Sequence, residues 1–448
     1  MGRRTRRLKG GVGTPVAPVN QTPLTPQGPV VPMFQNPVPQ LPAVPPPPPL
    51  PPAALRPPRH PGIGRQTASR GLVAPPSPKM IKQGSYGCLY RPPLKCGLSS
   101  GVVQEANEVT KLISKTNAAK ELEEADKLRP IDGEQKYFVY SGKSCDITVN
   151  AADPEINRCR AVRGRPSAKL LIMPDGGVDL DDYSPKPSEY AATFAGLRNL
   201  LVGLQALHTG GYAHFDIKPG NMVARMDGGV CIARFIDFGL MRSHNPYPEE
   251  DRRYEYDYPW YSFEIKFLST KFDQTKIDDY WKEYVRVSLG YQPESRDNSV
   301  WHETSTNLIP GMMTMARSFQ VYQEFNRDKA TVGSKILTQN DVYALGRSLG
   351  QIYYRLTSHS PDNGDIYFKG SAGARLKLTP SPSAGDLAVL QLTQAQYDVQ
   401  LNLSEFSKLW YTMCEKMMHP QPSQRITLAA AITYFDVKLG PAIPIYFP

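Results

Sequence analysis

Hydrophobic and polar positions divide the chain into three stretches. Residues 1–78 show no periodicity: a basic cluster is followed by PVVPMFQNPVPQLPAVPPPPPLPP, with Phe34 as the one aromatic. From Lys79 the apolar runs are short and strand-like. MIKQGSYGCLY reads as strand, glycine turn, strand, and EVTKLI, KYFVY and AKLLIM are further strand candidates. Among them NAAKELEEADKL holds helix formers throughout and no breaker. After Gly176-Gly177 a helical period takes over, and SEYAATFAGLRNLLVGLQALH puts Phe194, Leu197, Leu201, Leu204 and Leu207 on one stripe. NMVARMDGGVCIARFIDFG predicts a hairpin turning at Asp227-Gly228-Gly229, and 341–356 and 402–418 are again helical. A strand-rich part followed by a helix-rich part predicts an α+β fold of two lobes with a cleft between them. No internal repeat is present.

Charge sharpens the division. The 448 residues carry 52 Lys+Arg against 42 Asp+Glu, yet residues 1–78 hold nine of the basic residues, no acidic one, and 22 of the 44 prolines. The rest of the chain is therefore close to neutral, which argues against a basic nucleic-acid-binding fold and confines any nucleic-acid contact to the tail. With so few apolar side chains the tail is expected to be disordered, with polyproline II stretches. Its P-x-x-P spacings fit an SH3- or WW-type groove, and a solvated spacer or tether is the plainer expectation. The six cysteines show no C-x-x-C and no nearby histidine. They exclude a zinc module and are expected as reduced thiols of an intracellular protein, not as a disulfide scaffold. No apolar run approaches 18 residues and no signal-peptide core is present, so no membrane span is expected. Gly2 opens a myristoylation pattern that Arg6 breaks.

The chemistry-bearing segments are HFDIKPGN at 214–221 and, after the hairpin, Asp237-Phe238-Gly239. Together they resemble the catalytic segments of the protein kinase family, H-x-D-x-K-x-x-N and D-F-G. The resemblance implies a two-lobed kinase-like fold with an N-lobe at about 79–173 and a C-lobe at about 178–448. It also implies transfer of the ATP γ-phosphate to protein Ser or Thr hydroxyls, with Mg²⁺. Phosphoryl transfer has a loose transition state, so the protein mainly positions groups and neutralises charge. On that reading Asp216 accepts the hydrogen bond and proton of the substrate hydroxyl, and Lys218 holds the γ-phosphate. Asn221 and Asp237 supply hard oxygen ligands of the kind Mg²⁺ prefers. Lysine two residues after the aspartate favours Ser/Thr over Tyr.

On the nucleotide side, Lys82-Gln83-Gly84-Ser85-Tyr86-Gly87-Cys88-Leu89 resembles the glycine-rich loop, with Lys82 in place of its first glycine. Gly84 and Gly87 let backbone approach the phosphates without a Cβ in the way. Lys111 fits the lysine that contacts the α- and β-phosphates, with Glu121 as its expected partner and Glu124 as the rival. Asp341-Val-Tyr-Ala-Leu-Gly346 resembles the motif whose Asp braces the catalytic loop. Arg425 and Glu264 resemble the pair that closes the activation segment, and Ile172–Leu180 resembles the hinge that binds adenine.

The departures matter as much. Phe215 stands where the family has the Arg that pairs with an activation-loop phosphate, so activity without that phosphate is expected. An insertion at about 265–340 precedes Asp341, and 252–262 lacks the usual peptide-docking pattern. The G-x-Y-G-C turn, the short link from lysine to helix, the Tyr254–Tyr261 run and D-V-Y-x-L-G resemble serine/threonine kinases of large DNA viruses. That narrower likeness implies an enzyme of the virion or infected cell. Two alternatives stand beside this reading: a pseudokinase scaffold, and a kinase-like phosphotransferase acting on a small molecule or lipid.

Overall fold

The computed structural model describes residues 77–447 except 246–257, 281–321, 370–374 and scattered shorter gaps, Ser85 among them. Nearly all of the proline-rich tail and much of the 265–340 insertion thus lie outside the described residues. The first half is an antiparallel sheet of β1 (Lys79–Gln83), β2 (Gly87–Arg91), β3 (Glu108–Ile113), β4 (Lys143–Thr148) and β5 (Ser167–Pro174). Its order is β1-β2-β3-β5-β4. Helix α1 (Lys115–Leu128) starts where the Ser114 side chain accepts the Asn117 N–H, and Ala118 packs on Ile113 and Leu171 of the sheet.

Two sequence expectations fail here. KYFVY is rich in β-formers but is not a sheet strand; Phe138 makes only an isolated bridge to Phe235. The reason is local: the Asp132 carboxylate takes the N–H groups of Lys136, Tyr137 and Phe138 at 2.9, 2.6 and 2.9 Å. The fifth strand is KSCDIT instead, paired through Cys145 to Leu170. The cysteines are the second correction. Cys88 bonds to Cys159 and Cys96 to Cys145, with Cα–Cα separations of 5.8 and 6.1 Å, leaving Cys231 and Cys414 buried and free. The paired residues lie 71 and 49 positions apart, a separation that no local spacing rule detects. Both bridges staple one apolar cluster of the sheet that includes Tyr90, Leu112 and Leu170.

A short α2 (Pro154–Arg158) lies between β4 and β5, and β6 (Val178–Asp179) follows Gly176-Gly177. The stripe on α3 (Tyr190–Thr209) buries Phe194, Leu197, Leu201, Leu204 and Leu207 as its spacing requires. After β7 (Tyr212–Ala213), the hairpin β8 (Met222–Asp227)–β9 (Val230–Phe235) turns at Gly228 and Gly229, whose φ angles of 55° and 86° are what a tight two-residue turn needs. Then β10 (Arg242–Ser243) pairs back on β7.

Helix α4 (Lys329–Thr357) starts twelve residues before the predicted Asp341, so the end of the insertion is part of that helix. With α6 (Gln394–Met417), which follows the short α5 (Ala384–Leu390), it completes the larger core, where Phe194 meets Tyr353 and Trp410 at 5.3 Å between ring centres. A three-stranded sheet, His359–Asp362, Asp365–Lys369 and Arg375–Lys377, was not expected. The helical stretch Leu428–Tyr446 is long and apolar enough to cross a membrane by composition, although no such run was expected. Its Leu428, Ala431, Phe435, Leu439 and Ile443 pack into the larger core, while Val437 and Ile445 on the same stretch are exposed.

Candidate active site

The loop 214–221 is held from beneath by one buried carboxylate. Asp341 on α4 is fully buried and accepts the N–H groups of His214 at 2.6 Å and Phe215 at 2.9 Å, with His208 Nε2 at 3.0 Å. His214 is buried too; loss of water pulls its pKa below the usual value, so the ring is neutral at physiological pH. It stacks on Phe238 at 4.8 Å, and Phe238 meets Phe138 edge-on at 5.5 Å. With Phe238 sunk in the core, its neighbour Asp237 is left exposed, at a φ of 61°. Among the described residues its carboxylate has only a weak hydrogen bond, from the Gly239 N–H at 3.5 Å.

Asp216, Lys218 and Asn221 converge. Lys218 Nζ lies 3.1 and 3.0 Å from the two carboxylate oxygens of Asp216, and Asn221 Nδ2 donates to Oδ2 at 2.6 Å and to the Asp216 carbonyl at 2.9 Å. The Ile236 N–H binds the Asn221 carbonyl at 3.0 Å, which brings β9 and therefore Asp237 alongside Asn221. A fourth group was not read from the sequence as part of the site. Tyr258 donates a hydrogen bond to Asp216 Oδ1 and accepts one from Lys218 at 3.0 Å. The tyrosine-rich run gave its presence away but not its target.

Phe215 is buried among Tyr261, Phe263, Phe267 and Ile336, at a φ of 65° that is uncommon for a residue with a Cβ. Among the described residues of this cluster every buried side chain is apolar or aromatic. Glu264 and Arg425 meet at 2.6 Å, both essentially without solvent exposure, as the family pattern implies.

On the sheet, Lys111 Nζ and Glu121 Oε1 are 2.6 Å apart and both about a quarter exposed. Glu121, not Glu124, is the partner. Burial, with Glu121 and Asp237 nearby, instead pushes the Glu124 carboxyl up to about 7. Gly87 needs to be glycine for a reason internal to the fold: a Cβ there would lie 2.8 Å from the Leu112 carbonyl and 3.2 Å from Lys111 Cε. Gly84 has no such constraint: a Cβ there would meet only the Gly87 carbonyl, at an ordinary 3.8 Å. Leu89 pairs with Lys111 in register, Tyr86 is exposed, and Ser85 lies outside the described residues.

Lys82, in place of the first loop glycine, reaches Asp179 on β6 at 2.5 Å. In the hinge, Asp175 accepts from Arg91 and from the Gly177 N–H at 2.9 Å. Gly177, at a φ of 99°, sits where a Cβ would be 2.0 Å from the Ala224 carbonyl.

These features fit a nucleoside triphosphate with Mg²⁺. An exposed carboxylate, without a cation partner among the described residues, stands beside a buried amide, and a lysine is already oriented by a glutamate. Among the described residues no three His, Cys, Asp or Glu side chains form a metal cluster. Mg²⁺ with nucleotide needs only one or two protein ligands and takes the rest from phosphate and water.

No family model matches the chain. Over 210 residues it is 35% identical to the mitogen-activated protein kinase MPS1 of Pyricularia oryzae, covering 45% of each chain. The similarity is to protein kinases. Over 207 residues it is 35% identical to the mitogen-activated protein kinase mpkA of Aspergillus fumigatus, covering 45% of this chain and 44% of that one. Over 169 residues it is 28% identical to the mitogen-activated protein kinase kinase kinase ANP1 of Arabidopsis thaliana, covering 37% of this chain and 22% of the relative. The chain thus spans less than half the length of these relatives. Among solved structures, Rad53 1-466 in complex with AMP-PNP matches at 13% identity and a TM-score of 0.36, covering 82% of this chain and 64% of that one. That score carries no argument. The relatives named are fungal and plant proteins, which give the viral likeness no support.

Proposed function

We propose that the protein is an ATP- and Mg²⁺-dependent serine/threonine protein kinase. The observation that carries the reading is the convergence of Asp216, Lys218 and Asn221 on a backbone pinned by buried Asp341, with Lys111 already paired to Glu121. Asn221, through Oδ1, and Asp237 would hold Mg²⁺, whose charge would offset that of the nucleotide's phosphates. Lys111 would bind the α- and β-phosphates, and the backbone at Gly84 would approach their oxygens without a Cβ in the way. Lys218 would turn from Asp216 to the γ-phosphate, freeing the Asp216 carboxylate to take the acceptor's proton. The MAP kinase similarity supports the same reading.

Phe215 in an apolar cluster supports activity without an activation-loop phosphate. The narrower viral assignment rests on the sequence features alone, and with it placement in the virion or the infected cell, where the tail would act as a tether. The experiment is transfer from Mg-ATP to casein, to a basic protein and to the enzyme itself, followed by phosphoamino-acid identification. Phosphoserine or phosphothreonine that Asp216→Asn abolishes is the expected result. Transfer that survives Asp216→Asn, or its absence with every acceptor, overturns the reading.

A further inference from the structure

The Asp216 carboxylate has no acceptor position left. Each of its oxygens offers two lone pairs. Oδ1 is taken by Tyr258 and Lys218, and Oδ2 by Lys218 and Asn221. In the proposed reaction Lys218 turns to the γ-phosphate, while Asn221 would ligate the metal through Oδ1 and keep its Nδ2 on Asp216 Oδ2, away from the oxygen Tyr258 holds. Tyr258 has no such role to turn to. Its hydroxyl donates to the oxygen that a substrate hydroxyl would use, and it stands 3.0 Å from Lys218, the group that meets the γ-phosphate.

We propose that Tyr258 caps Asp216 by occupying the acceptor-hydroxyl position, and that a substrate must displace its hydroxyl before transfer. The inference rests on the phosphotransfer reading of Asp216. The cap has a built seat. The Tyr258 ring meets Tyr261 edge-on at 4.9 Å, and Tyr261 leans on Phe215 at 4.7 Å while its hydroxyl donates to the Phe215 carbonyl at 3.3 Å. The aromatic residue in the arginine position therefore supports the cap. Burial and the hydrogen bond to Asp216 raise the phenol pKa well above its ordinary value, so Tyr258 stays a donor at physiological pH. A charge-assisted hydrogen bond of this kind is worth enough to hold off a weak acceptor such as water and to yield to a substrate that makes many contacts.

The test is Tyr258→Phe in the full chain, which removes the hydroxyl and keeps the ring on Tyr261. Steady-state turnover is measured with a Ser/Thr substrate and, with water as the only acceptor, as plain Mg-ATP hydrolysis. Removing the cap is expected to lower the substrate KM roughly fivefold to tenfold at unchanged kcat, and to raise hydrolysis by a similar factor. A kcat that falls at constant KM would overturn the cap and make Tyr258 a positioning donor; unchanged kinetics would also overturn it. Stoichiometric phosphotyrosine at position 258 of the wild type, read by mass spectrometry, would overturn it as well, since the hydroxyl would then be an acceptor. Asp216→Asn run in parallel separates the two failures. Turnover lost in Asp216→Asn but indifferent to Tyr258→Phe sinks the cap alone, and turnover indifferent to Asp216→Asn, or no turnover by any of the three proteins, sinks the phosphotransfer reading and the cap with it.

Discussion

The loop at 214–221 and the five-stranded sheet hold their candidate groups by opposite means. Around the loop the fixing groups are buried: Asp341 lies under the His214 and Phe215 amides, and Glu264–Arg425 locks the segment beyond, with almost no solvent contact. On the sheet the Lys111–Glu121 pair is partly exposed, as is the Lys82 end of its pair with Asp179, and two disulfides do the stapling. Buried pairs are costly to break because one partner is left charged in the interior; exposed pairs are screened and adjust at little cost. The difference suits the proposed task. A loop that must present one carboxylate is held rigid, and a sheet that must admit and release a nucleotide is held by contacts that can re-form.

Substitutions that break one side should leave the other largely intact. Arg425→Met strands Glu264 in the core and is expected to cost on the order of 3–5 kcal/mol, read as a large drop in the thermal midpoint. An unchanged midpoint would mean that the pair is not buried in solution. Replacing Cys88 and Cys159 by serine is expected to cost about 2–4 kcal/mol, seen as a lower urea midpoint that reductant also produces in the wild type. Alkylation without reductant should label only Cys231 and Cys414 after unfolding; six labelled thiols would contradict the bridges.

Lys111→Met should change stability by less than about 1 kcal/mol, since the pair is partly exposed, while lowering phosphate transfer by roughly a hundredfold or more. Comparable losses in both would erase the contrast between sheet and loop. The smallest effect concerns Glu124. Its folded pKa, about 7, lies above the ordinary 4.5, so the folded state holds its proton more tightly. That contribution is full below about pH 4.5 and is lost as pH rises towards 7. Glu124→Gln should flatten the decline in stability across that window, and a slope identical to the wild type's would reject the assignment.

The legible parts of the molecule were those whose signal is contiguous. HFDIKPGN and Asp237-Phe238-Gly239 lie within 26 residues, and the hairpin that joins them carries its own turn residues. EVTKLI emerged with the predicted bounds as a short β-type run, paired on both edges by β2 and β5. What escaped was set by distant or competing partners. Asp132 captures the amides that would have made KYFVY a strand, and the disulfides join cysteines far apart in sequence. Tyr258 escaped for the same reason: a tyrosine in an aromatic run carries no mark that its hydroxyl ends on a carboxylate 42 positions away. Gly87 was read as serving phosphates, while the fold also needs it against Leu112 and Lys111.

The central claim is that Asp216 acts on the acceptor and not on the nucleotide. Titration of Mg-ATP into the wild type and Asp216→Asn, with phosphate transfer measured on the same samples, tests it most directly. The account predicts nucleotide affinities within about threefold of each other and a loss of transfer of at least roughly a thousandfold. Transfer and nucleotide binding lost together, or transfer undiminished, would contradict it.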